Sequence, residues 1–210
     1  MNKYFKLLEK IVNKGENQIN KKGNIKFLFN EVISLNKNEL DQLFTEYKVA
    51  KTKLKSELEL YLIGEDRVSE YNKVGVNWWN YIGDTFINSY PQYFKNLPKL
   101  INKINKEKRS SKNYMLFIGS ELETNQLPCL SLIQFQIINN ELNMTIYQRS
   151  ADSNLGLPSD IYQMTLIADM IDIPLKNITF FIGNAHIYEN NIEATKKLLN
   201  KEEFKFSLNV

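Results

Sequence analysis

The chain has 210 residues, 43% of them hydrophobic, with 27 lysines and arginines against 24 aspartates and glutamates, a formal net charge of +3. This length and apolar content fit one large domain over residues 1–210, with a full core. The charge excess is small and dispersed, which argues against direct nucleic-acid binding or an anionic membrane as partner.

The single cysteine, Cys129, excludes an intrachain disulfide and points to a reducing compartment. The N-terminal "MNKYFKLLEKIVNKG" has no signal-peptide apolar block, and no apolar run reaches membrane-spanning length. A soluble cytoplasmic protein is expected.

Tyr4, Leu7, Leu8, Ile11 and Val12 fall at helical spacing, with Gly15 as the stop. "NKKGNIKFLFNEVISL" reads as a polar loop and then a strand from about Ile25. A lysine-rich connector leads to "SELELYLIG", a helix ended by Gly64, and "VNWWNYIG" continues the buried material. "INKINKEKRSSKN", residues 101–113, is the most polar region, yet lacks the Gly/Pro/Ser bias of a linker. From Met115 the runs "YMLFIG", "CLSLIQFQII", "LNMTIYQRS" and "ITFFIG" are β-rich, and Asn139-Asn140 predicts a hairpin. "DIYQMTLIADMIDI" has helical periodicity, with Ser159 or Asp160 as N-cap and Pro174 beyond its end. Helices first, then a sheet crossed by one helix, predict an α+β fold with no internal repeat.

Taken singly, the chemically able residues admit structural readings. Cys129 is either a small buried hydrophobe or a thiolate nucleophile, which needs an electropositive, partly exposed setting. Arg149 and Ser150 at a strand end make a phosphate seat, or Arg149 is a surface residue paired with Asp152. His186 is the only histidine, at the end of an apolar strand; with one histidine and one cysteine, no zinc site is expected. Trp78 and Trp79 read as a buried pair, and Glu57 as an acid in the first turn of its helix.

Taken in order, "LPC", "QFQI", "YQRSADSNLGLP" and "GNAHIY" resemble the thymidylate synthase family, which includes the pyrimidine nucleotide hydroxymethylases. The N-terminal helix, "SELELYLIGEDRV" and "VNWWNYIG" resemble further segments of it, so the likeness covers most of the chain. The resemblance implies a three-layer α+β fold with a mixed sheet used for homodimerisation. It also implies a pyrimidine nucleoside monophosphate as substrate and 5,10-methylenetetrahydrofolate as co-substrate, without a metal.

Position by position, the resemblance makes Cys129 the nucleophile that adds to C6 of the base and Glu57 the general acid/base. Gln148, Arg149 and Ser150 fall in the substrate-binding block, and His186 and Tyr188 at the positions that hold the sugar hydroxyl. Asp152 matches the residue that binds the pterin, and Trp79 an aromatic beside the folate. Lys21 (or Lys22) and Lys112 stand where the family carries phosphate-binding arginines, Lys112 and Asn113 at the pair lent by the other subunit.

Asp160 stands where thymidylate synthases carry asparagine, and so resembles the deoxycytidylate hydroxymethylase branch. A carboxylate accepts from the cytosine exocyclic amine but opposes uracil O4 acceptor to acceptor. Leu130, where synthases usually carry histidine, and an end at Val210 soon after "KFSLNV" imply a looser closing segment that admits water. The expected reaction is hydroxymethylation of a cytidine monophosphate, dCMP above all, at C5. The alternatives are C5 methylation of dUMP or dCMP, and a degenerate nucleotide-binding homologue without turnover.

Overall fold

A computed structural model describes residues 2–20, 23–119 and 123–207. Helix α1 (Lys3–Lys14) follows the predicted spacing: Tyr4, Leu7, Leu8, Ile11 and Val12 are buried, Asn2 caps its start, and Gly15 ends it. Next come β1 (Glu16–Asn20) and β2 (Gly23–Asn36), an antiparallel pair. The expected polar loop is thus partly a strand. Nearly all β1 side chains are exposed, so their pattern carries no period even though the backbone is paired.

The lysine-rich connector contains a second helix, α2 (Lys37–Glu46). Its start is a capping box, Asn36 accepting from Glu39 N and the Glu39 carboxylate from Asn36 N. Helix α3 (Lys51–Ile63) ends, as expected, at Gly64, whose φ of 75° puts it in the left-handed region that glycine enters without strain. Helices α4 (Val68–Lys73), α5 (Tyr90–Phe94) and α6 (Leu97–Glu107) follow. The polar stretch from residue 101 is largely the end of α6, which buries Ile101 and Ile104 and turns its lysines outward.

Strands β3 (Met115–Phe117), β4 (Leu130–Ile138) and β5 (Glu141–Asp152) are successive antiparallel neighbours. Asn139 and Asn140 form the β4–β5 turn, both at positive φ, as a two-residue hairpin requires. Helix α7 (Gly156–Asp169) then carries the chain back to β6 (Leu175–Tyr188), which pairs with β5 in parallel, and α8 (Ile192–Leu199) closes the order. The sheet order is β1-β2-β6-β5-β4-β3. The fold is α+β with a mixed sheet, but helices do not all precede the strands: β2 lies inside the sheet, paired with β6.

Helix α7 packs on β5 and β6 on one side and on α3 on the other, giving three layers: sheet, α7, and the α3–α5 pair. Its buried residues cover more than half of its circumference, leaving only the side of Ser159, Tyr162, Leu166 and Asp169 partly open. The other sheet face is open. Across it Val32 pairs with Phe181, Phe181 with Tyr147, and Tyr147 with Leu132, a row of apolar side chains along the register. Val32 is 52%, Phe181 43% and Tyr147 46% exposed. Beyond α8 the chain folds back: Phe206 stacks on Tyr47, and the Asn191 side chain donates to Ser207 O and accepts from Ser207 N. The closing segment, expected to be loose, is pinned as far as Ser207. Among the described residues, no helix is long and apolar enough to cross a membrane.

Candidate active site

The parallel pairing of β5 with β6 joins the two sequence motifs: Ser150 lies opposite Asn184 and Asp152 opposite His186, at the carboxyl ends of both strands. On the other flank of β5, Leu130 is opposite Gln148, and Arg149 N donates to Cys129 O at 2.9 Å. Cys129 is therefore a ladder neighbour of Arg149. One residue before Asn184 on β6, Gly183 lies so close to β5 that a Cβ there would be 2.7 Å from Arg149 O. A side chain at position 183 would push Arg149 out of line.

The Arg149 guanidinium donates to Pro128 O at 3.1 Å and to Leu127 O at 2.9 Å, bracing the backbone that leads into Cys129. Its remaining N–H groups stay available for an anion. The alternative pairing with Asp152 does not occur. The two side chains are three apart on a strand and leave from opposite faces. Asp152 Oδ1 instead accepts from Asn154 N and Leu155 N, and burial raises its pKa to about 6.

Cys129 is half-buried and not disulfide-bonded. Its N–H donates to the Tyr90 hydroxyl at 2.8 Å. Tyr81 and Tyr188 both lie within electrostatic reach of the thiol, and Tyr81 donates to Gln126 Oε1. Nothing in the local sequence around Tyr90 or Tyr81 signals these contacts, which join segments some forty residues apart. Leu130, by contrast, is buried in the core opposite Gln148. Tyr90→Phe is expected to leave the fold intact while lowering turnover about tenfold, because the Cys129 N–H loses its acceptor, worth about 1–3 kcal/mol. Steady-state kcat alongside a thermal melt checks this.

Glu57 is in the middle of α3, not in its first turn, and is 4% exposed. Oε1 accepts from Trp78 Nε1 at 2.6 Å, Trp79 Nε1 at 2.5 Å and Tyr61 OH at 3.1 Å; Oε2 accepts from Gln163 Nε2 at 2.7 Å. Burial raises its pKa, the largest effect, while these donors pull it down. The two tryptophans are half-buried and aimed at this carboxyl, rather than a buried pair of the core. Gln163 joins this shell without belonging to any of the sequence motifs. Its signal is a polar side chain three residues after Asp160 on an otherwise apolar helix, which puts both on one face.

Asp160 is not an N-cap. Helix α7 begins at Gly156, with Leu155 before it, and Ser159 Oγ donates to Leu155 O as an interior residue does. Pro158 fits the first turn, where no intrahelical N–H is needed. Asp160 Oδ2 accepts from Gln148 Nε2 at 2.6 Å. Burial raises its pKa to about 7, and the neighbouring Glu57 adds to the rise. Gln148 is 1% exposed, so it reaches the site through Asp160 and does not face an entering substrate.

His186 is buried, with Nδ1 3.0 Å from Asn184 Oδ1, and burial lowers its pKa to about 4. It is neutral near pH 7; a hydrogen on Nδ1 leaves Nε2 as an acceptor. The Tyr188 ring meets it edge-on.

Lys112 is not part of this cluster. It is exposed beside Gln134, whose amide donates to Lys112 O, well along β4 from Cys129. Asn113 is exposed next to it, and Lys21 and Lys22 lie outside the described residues. Among the described residues, no group of three His, Cys, Asp or Glu could hold a metal ion.

A half-buried thiol on a backbone braced by a guanidinium, a buried and a half-buried carboxyl and a neutral histidine can add to a ring, move protons and grip an anionic substrate. Comparison with known proteins agrees. The thymidylate synthase family pattern matches residues 2–209. The thymidylate synthase of Wigglesworthia glossinidia brevipalpis is 28% identical over 222 residues, covering 96% of this chain and 84% of that protein. That of Buchnera aphidicola subsp. Acyrthosiphon pisum (strain APS) is 28% identical over 221 residues, covering 94% and 83%. The bifunctional dihydrofolate reductase-thymidylate synthase of Zea mays is 30% identical over 133 residues, 59% of this chain and 26% of that protein. With the match running nearly end to end and the β5 and β6 motifs brought side by side by the strand pairing, this chain belongs to the thymidylate synthase family, the folate-dependent one-carbon transferases.

Proposed function

We propose that the chain transfers a one-carbon unit to C5 of a pyrimidine nucleoside monophosphate, leaving a methyl group. Cys129 adds to C6 and makes C5 nucleophilic. The observation that carries this is that Tyr90 lies against both Cys129 and Asp160, Asp160 neighbours Glu57, and Arg149 braces the backbone leading into the thiol. The names of the relatives support methylation above the hydroxymethylation expected from sequence.

Folate fits the residues present. Asp152 Oδ1 is filled by two backbone N–H groups, and Oδ2 remains to accept from the N–H edge of a pterin, while Trp79 offers a half-buried ring. When bound, 5,10-methylenetetrahydrofolate supplies the one-carbon unit and the reducing hydride. The chain does the rest. Glu57, neutralised in part by burial, moves protons at the ring. Arg149 and Ser150 hold the phosphate, and His186 Nε2 and Tyr188 the sugar hydroxyl. The experiment is incubation with methylenetetrahydrofolate and each of dUMP, dCMP and CMP, reading tritium release from C5 and product mass. A mass gain of one methyl supports the reading; no release from any nucleotide overturns it.

Asp160 favours a second reading, cytosine as the base. A carboxyl accepts from the exocyclic amine and shares a proton with N3, whereas a carboxylate opposes uracil O4. If dCMP is the substrate and the product gains the mass of hydroxymethyl, water has replaced hydride at the last step.

A homodimer through the open sheet face is part of the proposal, since the Val32–Phe181–Tyr147–Leu132 row is apolar and in register across four strands. Lys112, remote from its own Cys129, then serves the partner's phosphate. The reaction is placed in the cytoplasm, where Cys129 stays reduced. Phe181→Lys is expected to give monomers by light scattering and to weaken nucleotide binding. A dimer of unchanged mass would refute the interface.

A further inference from the structure

Gln148 poses a problem that neither its strand nor the fold resolves. It is 1% exposed, its Nε2 donates to Asp160 Oδ2 at 2.6 Å, and its Oε1 is a buried acceptor with no hydrogen-bond partner among the described residues. Its neighbours in register are Leu130 on β4 and Ile182 on β6, both buried and apolar. A leucine or methionine would pack there without an unmatched polar atom, so the amide has work at Asp160.

The amide cannot readily turn over. Reversal would leave both amide hydrogens among apolar side chains, a worse loss than one orphaned carbonyl oxygen, even with a proton on Oδ2 donating to Oε1. The donor therefore stays on Oδ2, and Oδ2 stays an acceptor.

That constraint bears on base choice. A neutral carboxylic acid can match either pyrimidine. With its proton on the oxygen facing N3, it donates to cytosine N3 and accepts from the exocyclic amine. With its proton on the oxygen facing the exocyclic group, it accepts from uracil N3–H and donates to O4. The two patterns differ only in which oxygen holds the proton. We infer that Gln148 is the specificity-determining positioning residue of this site, because its amide disfavours the acid proton on Oδ2 and so biases Asp160 toward one pyrimidine pattern over the other. The inference rests on the reading that Asp160 meets the base; Gln148 itself does not touch it. The groups around Asp160 agree with this placement: Glu57 on α3 and Tyr90 on α5 are the titratable neighbours, and Gln148 is the donor aimed at its carboxyl.

The test is competition between dCMP and dUMP in one vessel, which gives the ratio of kcat/KM values whatever fraction of the protein is folded. Gln148→Met removes the donor at similar length; Gln148→Glu replaces it with an acceptor. The wild type is expected to discriminate, Gln148→Met to bring the ratio about tenfold closer to one, and Gln148→Glu to carry it further in the same direction. A purely structural role would lower both kcat/KM values together and leave the ratio alone. An unchanged ratio in both variants, or a wild type without preference, overturns the inference. If neither nucleotide turns over, the function proposed above fails instead. The ratio of dissociation constants for dCMP and dUMP, by calorimetry on the same three proteins, then decides the role of Gln148.

Discussion

Cys129→Ser is expected to abolish C5 tritium release and product formation, a loss of about a thousandfold or more, in a protein that still melts cooperatively. The thiol is half-buried, and the contacts of residue 129 that shape the site are made by its backbone: N to Tyr90 OH, O from Arg149 N. Serine keeps both. It changes only the attacking atom, and a hydroxyl near neutral pH is a far weaker nucleophile than a thiolate beside a guanidinium. Nucleotide binding should survive, since Arg149 still braces Leu127 O and Pro128 O. Turnover near the wild-type rate would rule out covalent addition by Cys129.

Asp160→Asn is expected to move preference from cytosine toward uracil, by roughly five- to two-hundred-fold in relative kcat/KM, since each mismatched buried pair costs about 1–3 kcal/mol. It carries a second, independent signature in stability. The wild-type acid has a folded pKa raised to about 7, so the folded state holds a proton that the unfolded state has lost by about pH 4. The resulting penalty is absent below pH 4, grows between pH 4 and 7, and is complete above. The asparagine variant lacks it. Denaturant unfolding should therefore show the variant gaining on the wild type as pH rises from 4 to 8. The ceiling is about 4 kcal/mol, lowered by the part of the side chain that water reaches. A base ratio that does not move would remove Asp160 from recognition. A stability gap constant with pH would mean that it titrates normally.

Legibility in the sequence tracked locality. Cys129, Arg149, Asp152 and His186 stand in short contiguous motifs at the ends of strands whose apolar runs are unmistakable, so both residue and setting could be read. The environment of Glu57 could not. Its donors come from residues 61, 78, 79 and 163, and only tertiary packing makes them a shell. Asp160 departs from the expected N-cap because, although its carboxyl suits that place, Asp152, eight residues earlier, takes up the turn's free N–H groups and lets the helix begin at Gly156. Strand β1 was lost for want of a buried face, and α2 because its lysines outweighed a readable Asn36/Glu39 capping box.

The position of β2 has a consequence for how the chain reaches its fold. Ile25 to Asn36 pair with Tyr188 to Asn177, partners some 140 to 160 residues apart, and β5 finds its second neighbour in the same strand. The sheet therefore cannot close until the last strand has been synthesised. Closing so long a loop defers the reward of pairing to the end and makes folding slow. Until then β2 and β5 each expose an unpaired edge, the kind of surface on which nascent chains aggregate. A ribosome-stalled chain ending before Leu175 should accordingly stay protease-sensitive throughout, and extension past Tyr188 should protect β2 and β5 together.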